Sequence, residues 1–262
     1  MVSRQKVVVV MPAYNAEKTL HMTYADLPHD IVDLVIVVDD GSKDDTARIA
    51  KDLGLEVFMH NRNYGYGANQ KTCYREALKA GADIIVMVHP DYQYDPHLLP
   101  QIIEPIRNGR ADVVLGSRLM GGNVRKQGMP WWKFIANRFL TGVENHVFGL
   151  NLSEYHTGYR AYTREALQCV NLEMNSDNFI FDQDIMAQFV SLQLRVAEVP
   201  VPTRYFPEAS SASFIQSTVY GLSILRLMFV YWLHKRGWRR SRRFESLERR
   251  YSPAVANPHT HP

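Results

Sequence analysis

The chain has 262 residues, of which 46% are hydrophobic and 22% are charged, and its net charge is +3. These values are ordinary for a globular protein and exclude a disordered or fibrous chain, and the length suits one large α/β domain or two small ones. The two cysteines, Cys73 and Cys169, exclude a disulfide framework and favour a reducing compartment. The first apolar run, residues 7–11, is too short for the core of a signal peptide, so we expect a cytoplasmic protein.

The first half of the chain alternates short apolar runs with helical segments. Strands are predicted at residues 7–11, 32–39, 55–59, 83–89 and 112–116. Helices are predicted between them, at residues 15–27, 44–53, 67–80 and 95–108. Strands that are apolar on both faces and alternate with helices predict an α/β fold, with a Rossmann-like and mostly parallel sheet flanked by helices.

The second half of the chain is less regular. Residues 119–127 break the pattern with Gly121 and Gly122, and this segment is either a lid beside a site or a connector. Helices are predicted at residues 131–148, 164–170 and 182–192, and a last strand at residues 194–200. The helix at 131–148 is amphipathic, with an apolar stripe that is typical of a buried face.

The C-terminal part differs in composition from the rest. Residues 219–233 are nearly all apolar, and residues 235–250 contain eight Lys or Arg and two Glu. The apolar run is shorter than the roughly 20 residues that span a bilayer. Together with Trp238 and the basic flank, it favours an amphipathic helix at a membrane surface, peripheral to the cytoplasmic face. The alternative is a helix docked on the protein with a solvated basic tail.

We therefore expect a main domain at residues 1–215, a membrane-surface helix with its basic segment at 216–250, and a disordered tail at 251–262. Nucleic acid is not an expected partner, because the basic residues lack interleaved aromatic side chains for base stacking.

Acidic residues follow the second predicted strand. Asp39, Asp40 and Gly41 stand at its carboxyl end, where open α/β sheets bind their ligands. Carboxylates at this place can accept hydrogen bonds from the hydroxyls of a ribose or from the N–H groups of a base. The alternative is an acidic turn that caps the helix beginning near Asp45, without any ligand.

A second polar segment follows the strand predicted at residues 83–89. Asp91 and Gln93 offer oxygen ligands on one side of an extended segment, and His89 is a possible third ligand. Hard cations such as Mg²⁺ bind oxygens and usually bridge phosphates, whereas a site that includes histidine also suits Mn²⁺. The alternative is a polar turn in which Asp95 caps the following helix.

Six segments, in this order along the chain, resemble the motifs of a family 2 glycosyltransferase with the GT-A fold. They are residues 11–17, 39–42, 89–93, 116–118, 154–160 and 199–211. The branch that they resemble most includes the dolichyl- and polyprenyl-phosphate sugar transferases, and the resemblance covers residues 5–215. Two positions depart from the family pattern: His89 and Glu154 each stand where the family has an aspartate.

The resemblance implies a set of site residues. Nucleotide contacts are implied for Pro12, Tyr14, Asn15, Glu17, Asp39, Asp40, Gly41 and Gly67. A Mg²⁺ or Mn²⁺ ion is implied at His89, Asp91 and Gln93. Catalytic roles are implied for Asp91, Glu154, Arg118, Arg160 and Arg204, with the three arginines as candidate clamps for phosphate groups.

The activity implied by the resemblance is the inverting transfer of a hexose from GDP-mannose or a UDP-hexose to a polyprenyl phosphate. A phosphate acceptor is already an anion and needs no base. The hydroxyl of a glycan or a lipid-linked sugar, the alternative acceptor, needs a carboxylate base. Glu154 is the first candidate for that base, with Asp182 or Asp184 in reserve. A third hypothesis, supported only by His89, is a non-catalytic partner that binds nucleotide at the membrane.

Overall fold

The computed structural model of the protein describes residues 4–120, 130–202, 214–245 and 247. Within these residues, one sheet contains seven strands: β1 (Val7–Ala13), β2 (Leu34–Asp39), β3 (Glu56–Met59), β4 (Ile84–Met87), β5 (Val113–Ser117), β6 (Arg160–Thr163) and β7 (Val196–Pro200). The α-helices of the same residues are α1 (Leu20–Ala25), α2 (Thr46–Asp52), α3 (Tyr66–Lys79), α4 (Leu99–Arg107), α5 (Trp131–Phe148), α6 (Arg164–Cys169), α7 (Phe181–Ser191) and α8 (Phe214–Lys235).

The strand order in the sheet is β3-β2-β1-β4-β6-β5-β7. Only β6 runs antiparallel to its neighbours β4 and β5, and every other pair is parallel. The predicted α/β fold with a mostly parallel, helix-flanked sheet is therefore confirmed. The sequence did not predict β6, because four residues that begin with an arginine are too few to display a strand periodicity.

Alternate residues of the central strands point into two separate cores. Val8 and Val10 of β1 belong to a core with α3, α5, α7 and α8. Val7 and Val9 belong to the other core, which α1, α2 and α4 cover. The strand alternation thus buries both faces of the sheet, as expected of parallel strands.

The order of the strands creates a crevice. The chain leaves β3 at one edge of the sheet and returns on the far side of β1 as β4, through α3, which lies on the opposite face of the sheet from α1 and α2. Such a switch point leaves a gap outside the carboxyl ends of the two strands, where open α/β sheets bind ligands. Most of the predicted nucleotide and metal residues lie at or just after the carboxyl ends of β1, β2 and β4, whereas Gly67 lies in α3.

The C-terminal segment is docked on the main body. The inner face of α8 buries Ile224, Leu227, Met228 and Tyr231 in the core that α7 and α5 share. After α8, the chain turns back, and Phe244 packs against the ring of Tyr231 at 5.3 Å between centroids. No described helix is long and apolar enough to cross a bilayer. The domain boundaries remain predictions, and the predicted disordered tail at 251–262 lies outside the described residues.

Candidate active site

Two loops at the carboxyl edge of the sheet hold each other in place. Residues 15–17 follow β1, and residues 42–46 follow β2. The Asn15 carboxamide oxygen accepts a hydrogen bond from the Lys43 backbone N–H at 2.9 Å, and the Glu17 carboxylate accepts one from Asp45 N–H at 3.1 Å. These bonds explain why the helix predicted from residue 15 begins only at Leu20. Asn15 and Glu17 therefore shape this edge through backbone contacts.

The first two predicted nucleotide residues of this edge lie in different environments. Pro12 is buried within β1, opposite Val38 of β2, so its side chain belongs to the sheet. Tyr14 is exposed where β1 ends, with its ring available to a ligand. Aromatic faces at such an edge can stack on a nucleoside base.

The two aspartates that follow β2 make different contacts. Asp40 accepts hydrogen bonds from His60 Nδ1 at 2.6 Å, and from the backbone N–H groups of Tyr64 and Gly65 at 2.9 Å each. Asp40 therefore fixes the turn that leads into α3, and this geometry does not support its predicted nucleotide contact. In the described part of the chain, the Asp39 carboxylate accepts hydrogen bonds only from the N–H and the hydroxyl of Ser42, which leaves lone pairs for a ribose if the Ser42 hydroxyl rotates away.

Two glycines at this edge are required by close backbone approaches. Gly41 has a φ of +71°, and a Cβ at this position would lie 2.6 Å from the carbonyl carbon of Arg62. Gly67 packs against the Ser176–Asp177 backbone and donates a hydrogen bond from its N–H to the Asp177 carbonyl at 2.7 Å. Gly67 therefore joins α3 to the segment before α7, and this geometry does not support its predicted contact with a nucleotide.

The predicted metal residues follow β4 without forming a closed cage. Asp91 accepts the Gln93 backbone N–H at 3.0 Å. Across the described residues, no group of three or more His, Cys, Asp or Glu could hold a metal ion. The donor set fits a cation that takes one carboxylate from the protein and further oxygens from a bound diphosphate, which is the usual way in which Mg²⁺ is held.

His89 is stacked on the ring of Tyr66, with centroids 5.5 Å apart, and its Nε2 lies 3.3 Å from the Tyr66 hydroxyl oxygen. The Tyr66 hydroxyl donates a hydrogen bond to Asp182 at 2.8 Å. Since its hydrogen is used there, the Tyr66 oxygen accepts from His89 Nε2–H. This tautomer leaves the other ring nitrogen, Nδ1, with its lone pair available to a ligand.

Arg160 is completely buried and cannot clamp a phosphate in this structure. It donates hydrogen bonds to the carbonyls of Thr157 at 2.7 Å and Tyr155 at 2.9 Å, and its guanidinium lies 3.6 Å from the Asp182 carboxylate. Burial alone would lower the pKa of Arg160, but the Asp182 charge keeps it above the ordinary value. Arg160 and Asp182 therefore support the segment 155–157, and this geometry does not support a phosphate clamp at Arg160 or a base at Asp182.

Asp184, the other reserve base, is also occupied. It accepts hydrogen bonds from the Ser176 N–H and from Arg243 Nη1, each at 2.8 Å. Burial raises the pKa of this carboxyl. It faces the C-terminal segment, so the prediction of a base at this position is not supported.

Arg118 and Glu154 form a buried ion pair beside the end of β5. The Glu154 carboxylate accepts hydrogen bonds from the backbone N–H and Nε of Arg118 and from Asn137 Nδ2, each at 2.9 Å. Burial favours the neutral acid, but Arg118 and Asn137 lower the pKa of Glu154 below its ordinary value. A carboxylate held in this way is a poor proton acceptor, so Glu154 acts here as the residue that positions Arg118.

The lowered pKa of Glu154 predicts a pH dependence of stability. A carboxyl whose pKa is lower in the folded state stabilises the fold above the unfolded value of about 4.3, and this stabilisation is lost as the pH falls through the folded pKa. We expect Glu154→Gln to be less stable than the wild type at pH 7 and the difference to shrink in more acidic solution. Denaturant unfolding at several pH values measures it, and a difference that grows on acidification would contradict the assignment.

The segment 154–160 contacts the loop after β4 through Gly158. A Cβ at Gly158 would lie 2.7 Å from His89 Nε2, and the Gly158 N–H donates to the Tyr94 hydroxyl at 3.1 Å. Tyr66, Asn137 and Tyr94 were not predicted as site residues, because each acts through a partner far away in the chain. Gly158 lies within the segment 154–160 that carries the family resemblance, but its contact with His89 was not predicted. The predicted phosphate clamp Arg204 and most of the predicted loop at 119–127 lie outside the described residues.

Gly158→Ala is expected to displace His89 and to raise the KM for a nucleotide-sugar about tenfold, since overpacking costs about 1–3 kcal/mol. Gly142→Ala is the matched control, because a Cβ at Gly142 meets nothing within 4 Å. Alanine inside helix α5 should stabilise the protein by up to about 1 kcal/mol. Steady-state kinetics and thermal unfolding of both variants test the contact, and equal KM values for the two would contradict it.

Comparisons with known proteins agree with this geometry. Residues 8–170 match the family described as glycosyl transferase family 2. The chain is 28% identical over 214 residues to a UDP-N-acetylglucosamine–dolichyl-phosphate N-acetylglucosaminyltransferase of Methanococcus voltae, covering 75% of this chain and 85% of that protein. It is 28% identical over 206 residues to the polyprenol monophosphomannose synthase of Mycolicibacterium smegmatis, covering 75% and 77%.

A solved structure shares the fold. Glucosyl-3-phosphoglycerate synthase from Mycobacterium tuberculosis, crystallised with Mn²⁺ and UDP-glucose, overlaps 89% of this chain and 79% of its own with a TM-score of 0.65 and 22% identity. The likeness confirms the GT-A type of α/β fold that the sequence predicts.

Proposed function

The chain belongs to glycosyl transferase family 2, and we propose that it moves a hexose, with inversion, from a nucleotide-sugar to a polyprenyl phosphate. The observation that carries this choice of acceptor is the buried pair of Arg118 and Glu154. The pair supplies a fixed cation for an anionic acceptor, whereas its carboxylate is engaged and has a lowered pKa. A phosphate acceptor needs that cation and no base.

The relatives support the same acceptor class. The relative from Methanococcus voltae is named for transfer to dolichyl phosphate, and the relative from Mycolicibacterium smegmatis is named for the synthesis of polyprenol monophosphomannose. The sugars in the two names differ, and the described pocket residues do not distinguish GDP from UDP. The donor is therefore proposed only as a nucleotide-sugar.

The geometry of the site supports a separate role for each of its residues. Asn15, Glu17 and Asp40 hold the loops against which the nucleoside binds. Asp91 would hold a Mg²⁺ or Mn²⁺ ion, which supplies charge stabilisation for the departing diphosphate. Arg118 orients the acceptor phosphate and lowers the repulsion between the two anions. The acceptor oxygen then attacks the anomeric carbon from the face opposite the leaving group, which inverts its configuration.

We also propose that the protein works at a membrane surface. The outer face of α8 exposes Val219, Leu222 and Phe229, and Trp238 follows at 70% exposure. The neighbouring helix α5 exposes Trp131 at 68%, and a Cβ at Gly221 would touch Leu140, so the two helices pack side by side. Two adjacent helices with apolar outer faces and basic residues nearby are suited to the interface of a bilayer. The cytoplasmic face remains the expected side.

A transfer assay tests the proposal. Radiolabelled GDP-mannose, UDP-glucose and UDP-N-acetylglucosamine are each incubated in detergent with a short polyprenyl phosphate and Mn²⁺ or Mg²⁺. We expect label from one donor to enter the organic phase, and chelation of the cation to stop the transfer. Donor hydrolysis without labelled lipid would contradict the acceptor, and binding without any turnover would favour the non-catalytic hypothesis.

A further inference from the structure

A basic cleft lies apart from the residues that the proposed transfer uses. It has a volume of about 490 Å³ and is bounded by α7, α8 and residues 239–243 of the C-terminal segment. Four arginines line it: Arg226, Arg239, Arg240 and Arg243. Of its described lining residues, only Asp184, a reserve candidate for the base, is among the predicted site residues.

The charge of the cleft is not balanced by the protein. Asp184 is the one carboxylate among the described lining residues, and it is paired with Arg243 at 2.8 Å. In the part of the chain that the structure describes, Arg226, Arg239 and Arg240 form no ion pair. Guanidinium groups that share a cleft repel each other, so an anion that binds all of them would be stabilised.

Hydrogen bonds hold the backbone of the segment after α8, which forms one side of the cleft, against the rest of the protein. Gly237, with a φ of +73°, ends α8, and Trp238 N–H donates to the Leu233 carbonyl at 3.0 Å. The returning chain is held where Ser241 N–H donates to His234 Nδ1 at 3.1 Å and Ser191 Oγ donates to the Phe244 carbonyl at 3.1 Å. The arginines of residues 239–243 are therefore carried on backbone that is held against the protein.

The position of the cleft indicates what kind of anion it suits. Ser223, Arg226 and Val230 of α8 line the cleft, while Leu222 and Phe229 of the same helix are on its exposed apolar face. An anion in the cleft would therefore lie beside a surface that is suited to acyl chains. Guanidinium groups bind phosphate oxygens with two parallel hydrogen bonds.

We propose that this cleft binds the phosphate of an anionic membrane lipid, at a site separate from the one that binds the acceptor. The proposal rests on the membrane position in the proposed function, and it adds a defined headgroup site to it. A phosphate bound here would fix how α8 is rotated about its own axis at the membrane surface. It would thereby fix the orientation of the carboxyl edge of the sheet, where the candidate active site lies. The shared chemistry is the phosphate group, which a soluble phosphate could also supply.

The test compares two double variants of the full chain with the same loss of charge. Arg239→Gln/Arg240→Gln removes two guanidiniums of the cleft. Arg236→Gln/Arg242→Gln removes two from the same segment that do not line it. Binding to vesicles of phosphatidylcholine, with and without phosphatidylglycerol, is measured by co-sedimentation.

We expect the cleft variant to lose about 30-fold in affinity for the anionic vesicles, since a basic residue near such a surface contributes about 1 kcal/mol. The matched variant should lose less than about threefold, because its arginines lie outside the cleft. Equal losses would mean diffuse attraction and would overturn the site, as would equal binding to neutral vesicles. Arg226→Gln provides a second variant on α8, and far-UV circular dichroism checks the fold of each.

Titration with inorganic phosphate, followed by the NMR signals of the arginine side chains, separates the two sources. If inorganic phosphate saturates the cleft at concentrations below the lipid phosphate concentration at which vesicles bind, a lipid is overturned as the source. Wild-type turnover in detergent is measured in parallel. A protein that transfers no sugar but binds vesicles through the cleft contradicts the proposed function alone, and the reverse result contradicts the cleft alone.

Discussion

Asp91→Asn is expected to reduce sugar transfer at least about 10³-fold, equivalent to about 4 kcal/mol of transition-state stabilisation, while the fold stays intact. The side chain keeps its size and can still accept the Gln93 N–H, but it loses the charge that a cation on the diphosphate requires. The loss should fall on kcat, because charge on the leaving group develops as the glycosidic bond breaks. Steady-state kinetics and thermal unfolding measure the two effects.

Asp95→Asn is the matched control for this variant. Asp95 lies in the same loop, and its carboxylate accepts the His97 N–H at 3.1 Å at the start of a short 3-10 turn. Asparagine is an equally good cap, so this variant should keep its activity and stability. Near-normal turnover of Asp91→Asn, or an equal loss in both variants, would contradict the role given to Asp91.

Glu154→Ala is expected to lower the free energy of unfolding by about 3–5 kcal/mol, because it leaves the Arg118 cation largely buried without its partner. Replacing both residues, as Arg118→Met and Glu154→Ala, removes the stranded charge. The double variant should therefore lose less stability than the sum of the two single changes. Denaturant unfolding of the four proteins forms a double-mutant cycle that isolates this coupling.

The exposed pair of Arg48 and Asp45 is the control for the cycle. Its two side chains are more than half exposed, so water screens the interaction and Asp45→Ala should have little effect on stability. If the stability losses of Arg118→Met and Glu154→Ala add up to the loss of the double variant, the buried pair is not coupled. The remaining activity of Glu154→Gln would then decide whether the carboxylate acts as a base.

The sequence predicts those features of the fold that follow from local patterns. Apolar runs predicted six of the strands, and α5 has the predicted bounds Trp131–Phe148 because Gly149, with a φ of +77°, ends it. Open sheets bind ligands beyond the carboxyl ends of their strands, and this rule predicts Asp39 and Asp91 as site residues. In the structure, Asp39 ends β2 and Asp91 follows β4, the two strands that flank β1.

The partners of charged side chains could not be predicted in the same way. Arg160 lies 22 positions before Asp182 in the chain, and Tyr66 lies 116 positions before it, yet the three side chains meet in the interior. Nothing local distinguishes a buried arginine from one that faces a ligand. Asp39 and Asp40 are likewise adjacent and share the same neighbours in the sequence. Only the structure shows that it is Asp40 that contacts His60 and Gly65.

The acceptor is the central claim, and a comparison of two lipids tests it most directly. A short polyprenyl phosphate and the free polyprenol with the same chain differ only in the phosphate. We predict that the protein transfers labelled hexose to the phosphate and not to the alcohol, because Arg118 is held for an anion and Glu154 is engaged. Equal transfer to the alcohol would contradict the account, since a hydroxyl acceptor needs the base that this site does not offer.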